Sequence, residues 1–149
     1  MGKLLYFFIL SLNLFDAPYE NVVRDHDNIN CLTFKCTVHI MSNVNNLRFR
    51  CHSRDDDLGD VTRNAGEEFD IRFCLHFFGR SRFSCHFYLD SKQQEFNVYE
   101  LAPIFETQPY CFEGYDNLEC YWKVEKDGFY IPRIFQPQPS DWVKVYDWK

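Results

Sequence analysis

The sequence predicts an all-β fold: a small antiparallel β-sandwich of about seven to eight strands, stabilised by disulfides. Three observations carry this. Apolar and polar side chains alternate in short runs, the period of a strand with one buried face. Clusters of Asn, Asp, Gly, Ser and Pro break the runs at short intervals, as hairpin-linked strands require. Seven cysteines occur among 149 residues, a density that suits a disulfide framework in a small exported domain.

The chain begins "MGKLLYFFILSLNLF", in which Lys3 precedes an apolar run from Leu4 to Phe15 broken only by Ser11 and Asn13. A membrane-spanning helix needs about twenty apolar residues. This shorter run fits the core of a secretory signal peptide, the rival being a buried helix. A signal peptide is expected over residues 1–17, although Pro18 is a poor neighbour for cleavage after Ala17. Residues 18–33 are polar and charged and read as a flexible lead-in, followed by one folded domain over 34–149. A secreted, extracellular protein without stable membrane insertion is expected.

In "FKCTVHI", Phe34, Cys36, Val38 and Ile40 share a face. "LRFRCH" turns Leu47, Phe49 and Cys51 one way and Arg48, Arg50 and His52 the other. "FDIRFCL" sets Phe69, Ile71 and Phe73 against Asp70, Arg72 and Cys74. "FSCHFYL" aligns Phe83, Cys85, Phe87 and Leu89, and "FNV" adds Phe96 and Val98. "CYWKV" aligns Cys120, Trp122 and Val124, and "WVKVYDW" closes the chain. Asp127-Gly128, between "CYWKV" and "FYI", is the strongest hairpin signal. Sixteen phenylalanines and 19% aromatic residues add bulk that favours strands. The net charge of −6 gives no basic footprint for nucleic acid.

"RCHSRDDDLGD", residues 50–60, is dense enough in charge to suggest chemistry. An EF-hand requires Gly at the sixth position and Glu at the twelfth. Starting at Asp55, these positions hold Asp60 and Gly66; starting at Asp56, the twelfth is Glu67 but the third is Leu58. A looser calcium site would use Asp55, Asp56, Asp57 and Asp60. Neighbouring aspartates in one exposed turn lack the unlike surroundings that an acid–base pair needs. Cys74, His76, Cys85 and His86 match no common zinc spacing, and strand parity turns Cys74 away from Cys85. The structural reading is a solvated turn: aspartates accept backbone N–H bonds, Leu58 drops onto the core, Gly59 takes a positive φ, and Arg48, Arg50 and Arg54 offset the charge. No metal, cofactor or catalytic centre is expected.

Together, "CHSRDDDLGDV", "GEEFDIRF", "FFGRSRFSCHF", "FNVY" and "CYWKVEKDGFY" resemble, in order and spacing, the plant self-incompatibility stigma proteins, or S-protein homologues. The likeness covers about residues 36–149. It implies a small secreted β-sandwich with disulfides and no known enzymatic activity. In poppy, founding members of that family are stigma-secreted determinants of self-incompatibility recognised at the pollen surface. The family's four cysteines fall on Cys51, Cys85, Cys111 and Cys120, with three pairings open. Cys31, Cys36 and Cys74 are additional: Cys31 and Cys36 could pair locally, or one could join Cys74. A monomer is expected, with a covalent dimer through the odd cysteine as the alternative. No Asn-x-Ser/Thr sequon occurs.

The resemblance implies a signalling ligand bound by a cell-surface receptor. Its contacts are expected in the polar loops "DDDLGD" (Asp55, Asp56, Asp57, Asp60), "NAGEE", "LDSKQQ" and "EKDG". The alternative is a defence or toxin-like protein acting on membranes or cell walls, for which Trp142, Tyr146 and Trp148 could stack on sugars. The acidic charge and the missing cationic amphipathic helix weigh against membranes.

Overall fold

A computed structural model describes residues 31–32, 35–75, 82–100, 109–114, 117–134 and 139–149. Ten strands lie among them: β1 (Lys35–Ser42), β2 (Leu47–His52), β3 (Asp57–Arg63), β4 (Glu68–Cys74), β5 (Arg82–Leu89), β6 (Lys92–Glu100), β7 (Cys111–Glu113), β8 (Asn117–Glu125), β9 (Gly128–Pro132) and β10 (Trp142–Tyr146). A short 3-10 turn over Pro139–Asp141 leads into β10, and no α-helix occurs among the described residues. The expected signal peptide (1–17) lies outside these residues, as do Phe34 and His76.

One sheet runs β10-β9-β8-β1-β4, with β7 also paired to β8; the other runs β3-β2-β5-β6. The pairing is antiparallel except between β1 and β8, which run parallel with Val38 beside Cys120 and Ile40 beside Trp122. This one pair departs from the antiparallel pairing that the sequence predicts and that holds elsewhere among the described strands. Parallel neighbours need a long connection, and here the chain builds the entire second sheet between β1 and β8.

The alternating apolar residues become the interior. Val38, Ile71, Phe87, Val98 and Val124 are fully buried. Phe49 meets Phe69 and Phe87 meets Phe129 across the sheets, with ring centroids 5.6 and 5.1 Å apart. Such aromatic contacts contribute beyond the area they bury. The buried Trp122 Nε1–H donates to the Val98 carbonyl at 2.9 Å, joining β8 of one sheet to β6 of the other.

Two strands escaped the alternation. In β3, Leu58 and Val61 both face inward although three residues apart. A bulge explains this: His52 pairs with Asp57 and Arg50 with Asp60, so β3 carries one extra residue. Gly59, at φ 80°, accommodates it as expected. β7 is only three residues long and pairs Cys111 with Cys120. The β8–β9 turn also moves by one residue. Glu125 pairs with Gly128, so Lys126-Asp127 forms the turn and Gly128 begins β9. Its φ of 154° and the Tyr146 carbonyl pressed where a Cβ would sit both require glycine.

Three disulfides staple the sandwich. Cys51–Cys85 joins β2 to β5 and Cys111–Cys120 joins β7 to β8, each between register partners with Cα atoms 4.0 Å apart. Cys31–Cys74 ties the segment before β1 to the end of β4. Of the expected lead-in (18–33) only Cys31 and Leu32 are described, and Cys31 is the partner of Cys74 on the outward face of β4. Cys36 is the free thiol, fully buried on β1.

The C-terminus crosses from one sheet to the other. Lys149 and Gln93 exchange two backbone hydrogen bonds, at 2.8 and 3.0 Å. Trp148 packs on Phe129 and donates its Nε1–H to the Glu125 carbonyl at 3.0 Å. This tail covers the start of the β6 edge, where unpaired backbone groups would otherwise invite association.

Candidate functional site

The acidic stretch is half strand. Asp57 and Asp60 lie on β3, leaving Ser53–Asp56 as the turn. The turn is closed by Ser53 N–H to the Asp56 carbonyl and by Asp56 N–H to Ser53 Oγ, at 2.8 and 3.1 Å. Arg50 holds Asp57 through Nε and Nη2, at 3.0 and 2.7 Å, and reaches Asp60 at 3.4 Å. Donation from Arg50 and from the Gly59 N–H lowers the Asp57 pKa to about 2. Burial and the charge of Asp55 raise that of Asp56. Arg54 and Asp55 form the exposed tip, 89% and 67% accessible. Arg48 stacks over Tyr88 instead of balancing the aspartates. The four carboxylates do not converge on a shared point: Asp57 and Asp60 share Arg50, whereas Asp55 faces Arg54.

The other polar loops gather at the opposite end. The β2–β5 register sets Arg48 beside Tyr88 and His52 beside Ser84, so the Asp90-Ser91 turn lies near the start of β2. Leu47 pairs with Arg63, which brings the β3–β4 turn to the same end. Asn46 N–H donates to Asn64 Oδ1 and Ala65 N–H to Asn45 Oδ1, at 3.0 and 3.1 Å. Asn43 Nδ2–H reaches Glu125 at 2.8 Å, and Lys92 Nζ reaches the Lys126 carbonyl at 3.2 Å. "NAGEE", "LDSKQQ" and "EKDG" thus share one pole with the β1–β2 turn, and "DDDLGD" sits at the other.

Of the thiol and histidine candidates, Cys74 and Cys85 are committed to different disulfides, and His76 lies outside the described residues. The C-terminal aromatics are each engaged on one side, while Tyr146 remains 40% exposed. Tyr146 stacks on Phe96, Trp148 packs on Phe129, and Lys123 covers Trp142 at 4.6 Å.

Sequence reasoning missed a polar cluster centred on His39. His39 lies on the outer face of β1, between β4 and β8, with 16% of its side chain exposed. Its Nδ1 is 2.5 Å from Glu68 Oε2 and 3.0 Å from Asp70 Oδ1. Its Nε2 is 2.6 Å from Glu119 Oε1. Tyr121 stacks on the imidazole at 4.7 Å, and Arg72 binds the other Asp70 oxygen at 3.1 Å. Burial disfavours the imidazolium, but hydrogen bonds to Asp70, Glu119 and Glu68 prevail and raise the pKa to about 12. Asp70 is pushed up by burial yet held at about 2 by hydrogen bonds from His39 and Glu68. The partners stand 29 to 80 residues from His39. The only local signal was a histidine and carboxylates on outward positions of three strands.

The family model described as plant self-incompatibility protein S1 matches residues 29–148. The chain belongs to this family. S-protein homolog 2 of Arabidopsis thaliana is 29% identical over 151 residues, covering 93% of this chain and 87% of its own length. S-protein homolog 17 of the same plant is 30% identical over 106 residues, 69% of this chain and 74% of its own length. Self-incompatibility protein S1 of Papaver rhoeas is 29% identical over 96 residues, 62% of this chain and 65% of its own length. No solved structure matches.

The self-incompatibility S1 match begins at residue 29 and takes in Cys31. In this S1-family chain the cysteines assigned by resemblance pair as Cys51–Cys85 and Cys111–Cys120. Two of the three additional cysteines form the third bridge. The remaining thiol, Cys36, is buried, and burial raises its pKa well above the ordinary value. It offers no surface sulfur for a covalent dimer.

Proposed function

We propose that this S1-family protein is a secreted, non-enzymatic recognition ligand that a cell-surface receptor reads through polar turns on a rigid sandwich. The observation that carries the reading is the gathering of three of the four polar loops at one pole. Asn45, Asn64, Glu67, Asp90, Lys126 and Asp127 are all exposed there. At the acidic pole a single turn contributes, with Arg54 and Asp55 as its exposed tip. Turns held on stapled strands present a fixed pattern of charges at little ordering cost, which favours selective binding. The three-turn pole is therefore the main receptor footprint, and the tip at Arg54 and Asp55 is secondary.

Fluorescently labelled, disulfide-intact protein should bind plant protoplasts saturably. Mild surface proteolysis of the cells should abolish that binding, and lipid vesicles should not leak. Vesicle leakage, or binding that survives proteolysis, would favour a membrane-directed defence protein instead.

A further inference from the structure

The geometry points to a divalent transition-metal site on the outer face of the larger sheet, with His39 Nδ1, Glu68 and Asp70 as ligands for a cation of the Zn2+ type. Among the described residues, these three present ligand atoms that all lie within 4.8 Å of one another. Two carboxylate oxygens approach the same ring nitrogen. One N–H shared between both makes two bent bonds, whereas a cation at the shared point meets all three groups directly.

The opposite side of the ring supports this assignment. A metal-bound histidine characteristically donates its other N–H to a carboxylate, which fixes the tautomer and the ring orientation. Glu119 stands in that position, 2.6 Å from Nε2. Arg72 plays the same part for Asp70 by holding the oxygen turned away from His39. Stacking on Tyr121 fixes the ring plane.

Charge also favours a cation. Three carboxyl groups, Glu68, Asp70 and Glu119, gather here around His39 beside one fixed cation, Arg72. When Zn2+ binds Nδ1, the proton there leaves for solvent. The nitrogen donor selects a Zn2+-type ion over Ca2+ or Mg2+, which prefer all-oxygen shells. Tetrahedral ligands at metal bonds of about 2.1 Å lie ~3.4 Å apart. The 2.5 Å between Nδ1 and Glu68 opens as Glu68, 41% exposed, rotates outward, and the 3.0 Å between Nδ1 and Asp70 needs a separate shift of ~0.4 Å. Three protein donors leave a fourth, outward position for water.

Zinc chloride titrated into the chelator-treated, disulfide-intact protein at neutral pH should give one saturable site by calorimetry. The measured heat should vary with buffer ionisation enthalpy, because one proton is released. Calcium chloride should give no comparable binding. Glu68→Gln, at an exposed position, should weaken zinc binding at least ~10-fold, and Glu119→Gln should weaken it ~10–100-fold, the range for loss of an orienting partner. His39→Gln should abolish it. If His39→Gln fails to fold, Glu68→Gln alone decides. No zinc binding by the unsubstituted protein at millimolar concentration would overturn the proposal and leave the cluster as a hydrogen-bonded clamp. Equal affinity in Glu68→Gln would also overturn it, placing the ion elsewhere, for instance at His52 or His86.

Discussion

At the scale of single residues, Trp122 and His39 do different work. Trp122 fills the space between the sheets and satisfies the Val98 carbonyl. Trp122→Phe removes the donor and leaves a void, so it should destabilise the fold by about 2–3 kcal/mol. A shifted urea midpoint with unchanged slope would show this; a change below ~0.5 kcal/mol, the scale of an ordinary surface substitution, would mean the hydrogen bond contributes little. His39 predicts a pH window for the metal-free protein. Its pKa rises from 6.5 to about 12 on folding, so its contribution is complete below about 6.5 and falls away as pH climbs toward 12. Asp70 falls from 3.8 to about 2, so its contribution is complete above about 3.8 and is lost as pH drops toward 2. In the presence of chelator, stability should be greatest between about pH 4 and 6.5. In His39→Gln the decline on the alkaline side should flatten; an unchanged profile would contradict the assignment.

At the scale of elements, the bridges should rank by the chain they close. Sequence separations of 43, 34 and 9 residues correspond to about 4, 4 and 2.5 kcal/mol on the chain-entropy account. Paired Cys→Ser replacement should therefore lower the melting temperature least for Cys111 with Cys120. An equal loss for all three pairs would show that strain or packing outweighs loop closure. Cys74 lies on the outward face of β4, yet its bridge to Cys31 predicts a substantial loss on Cys74→Ser. β2, β4, β5 and β8 were legible because each kept strict alternation over several residues, whereas β9, whose burial does not alternate, was marked only by its hairpin turn. β3 was hidden by the bulge at Leu58–Gly59, and β7 is too short to show a period. The parallel β1–β8 pair could not be read, because alternation carries no strand direction. The His39 cluster was hidden for the same kind of reason: its members meet only through the register of β1 with β4 and β8.

At the scale of the molecule, two stapled sheets turn scattered polar loops into two separate poles. The sequence lists those loops but says nothing of which share an end. That follows from strand pairing, and it divides the expected receptor surface. The most direct measurement is competition for protoplast binding by two charge-reversed forms, one at each pole. The pair Asp90→Lys with Lys126→Glu should lose at least ~10-fold in competing strength, about 1.4 kcal/mol, with melting unchanged. The pair Arg54→Glu with Asp55→Lys should compete nearly as well as the unaltered protein. The reverse pattern would contradict the account and move recognition to the acidic pole.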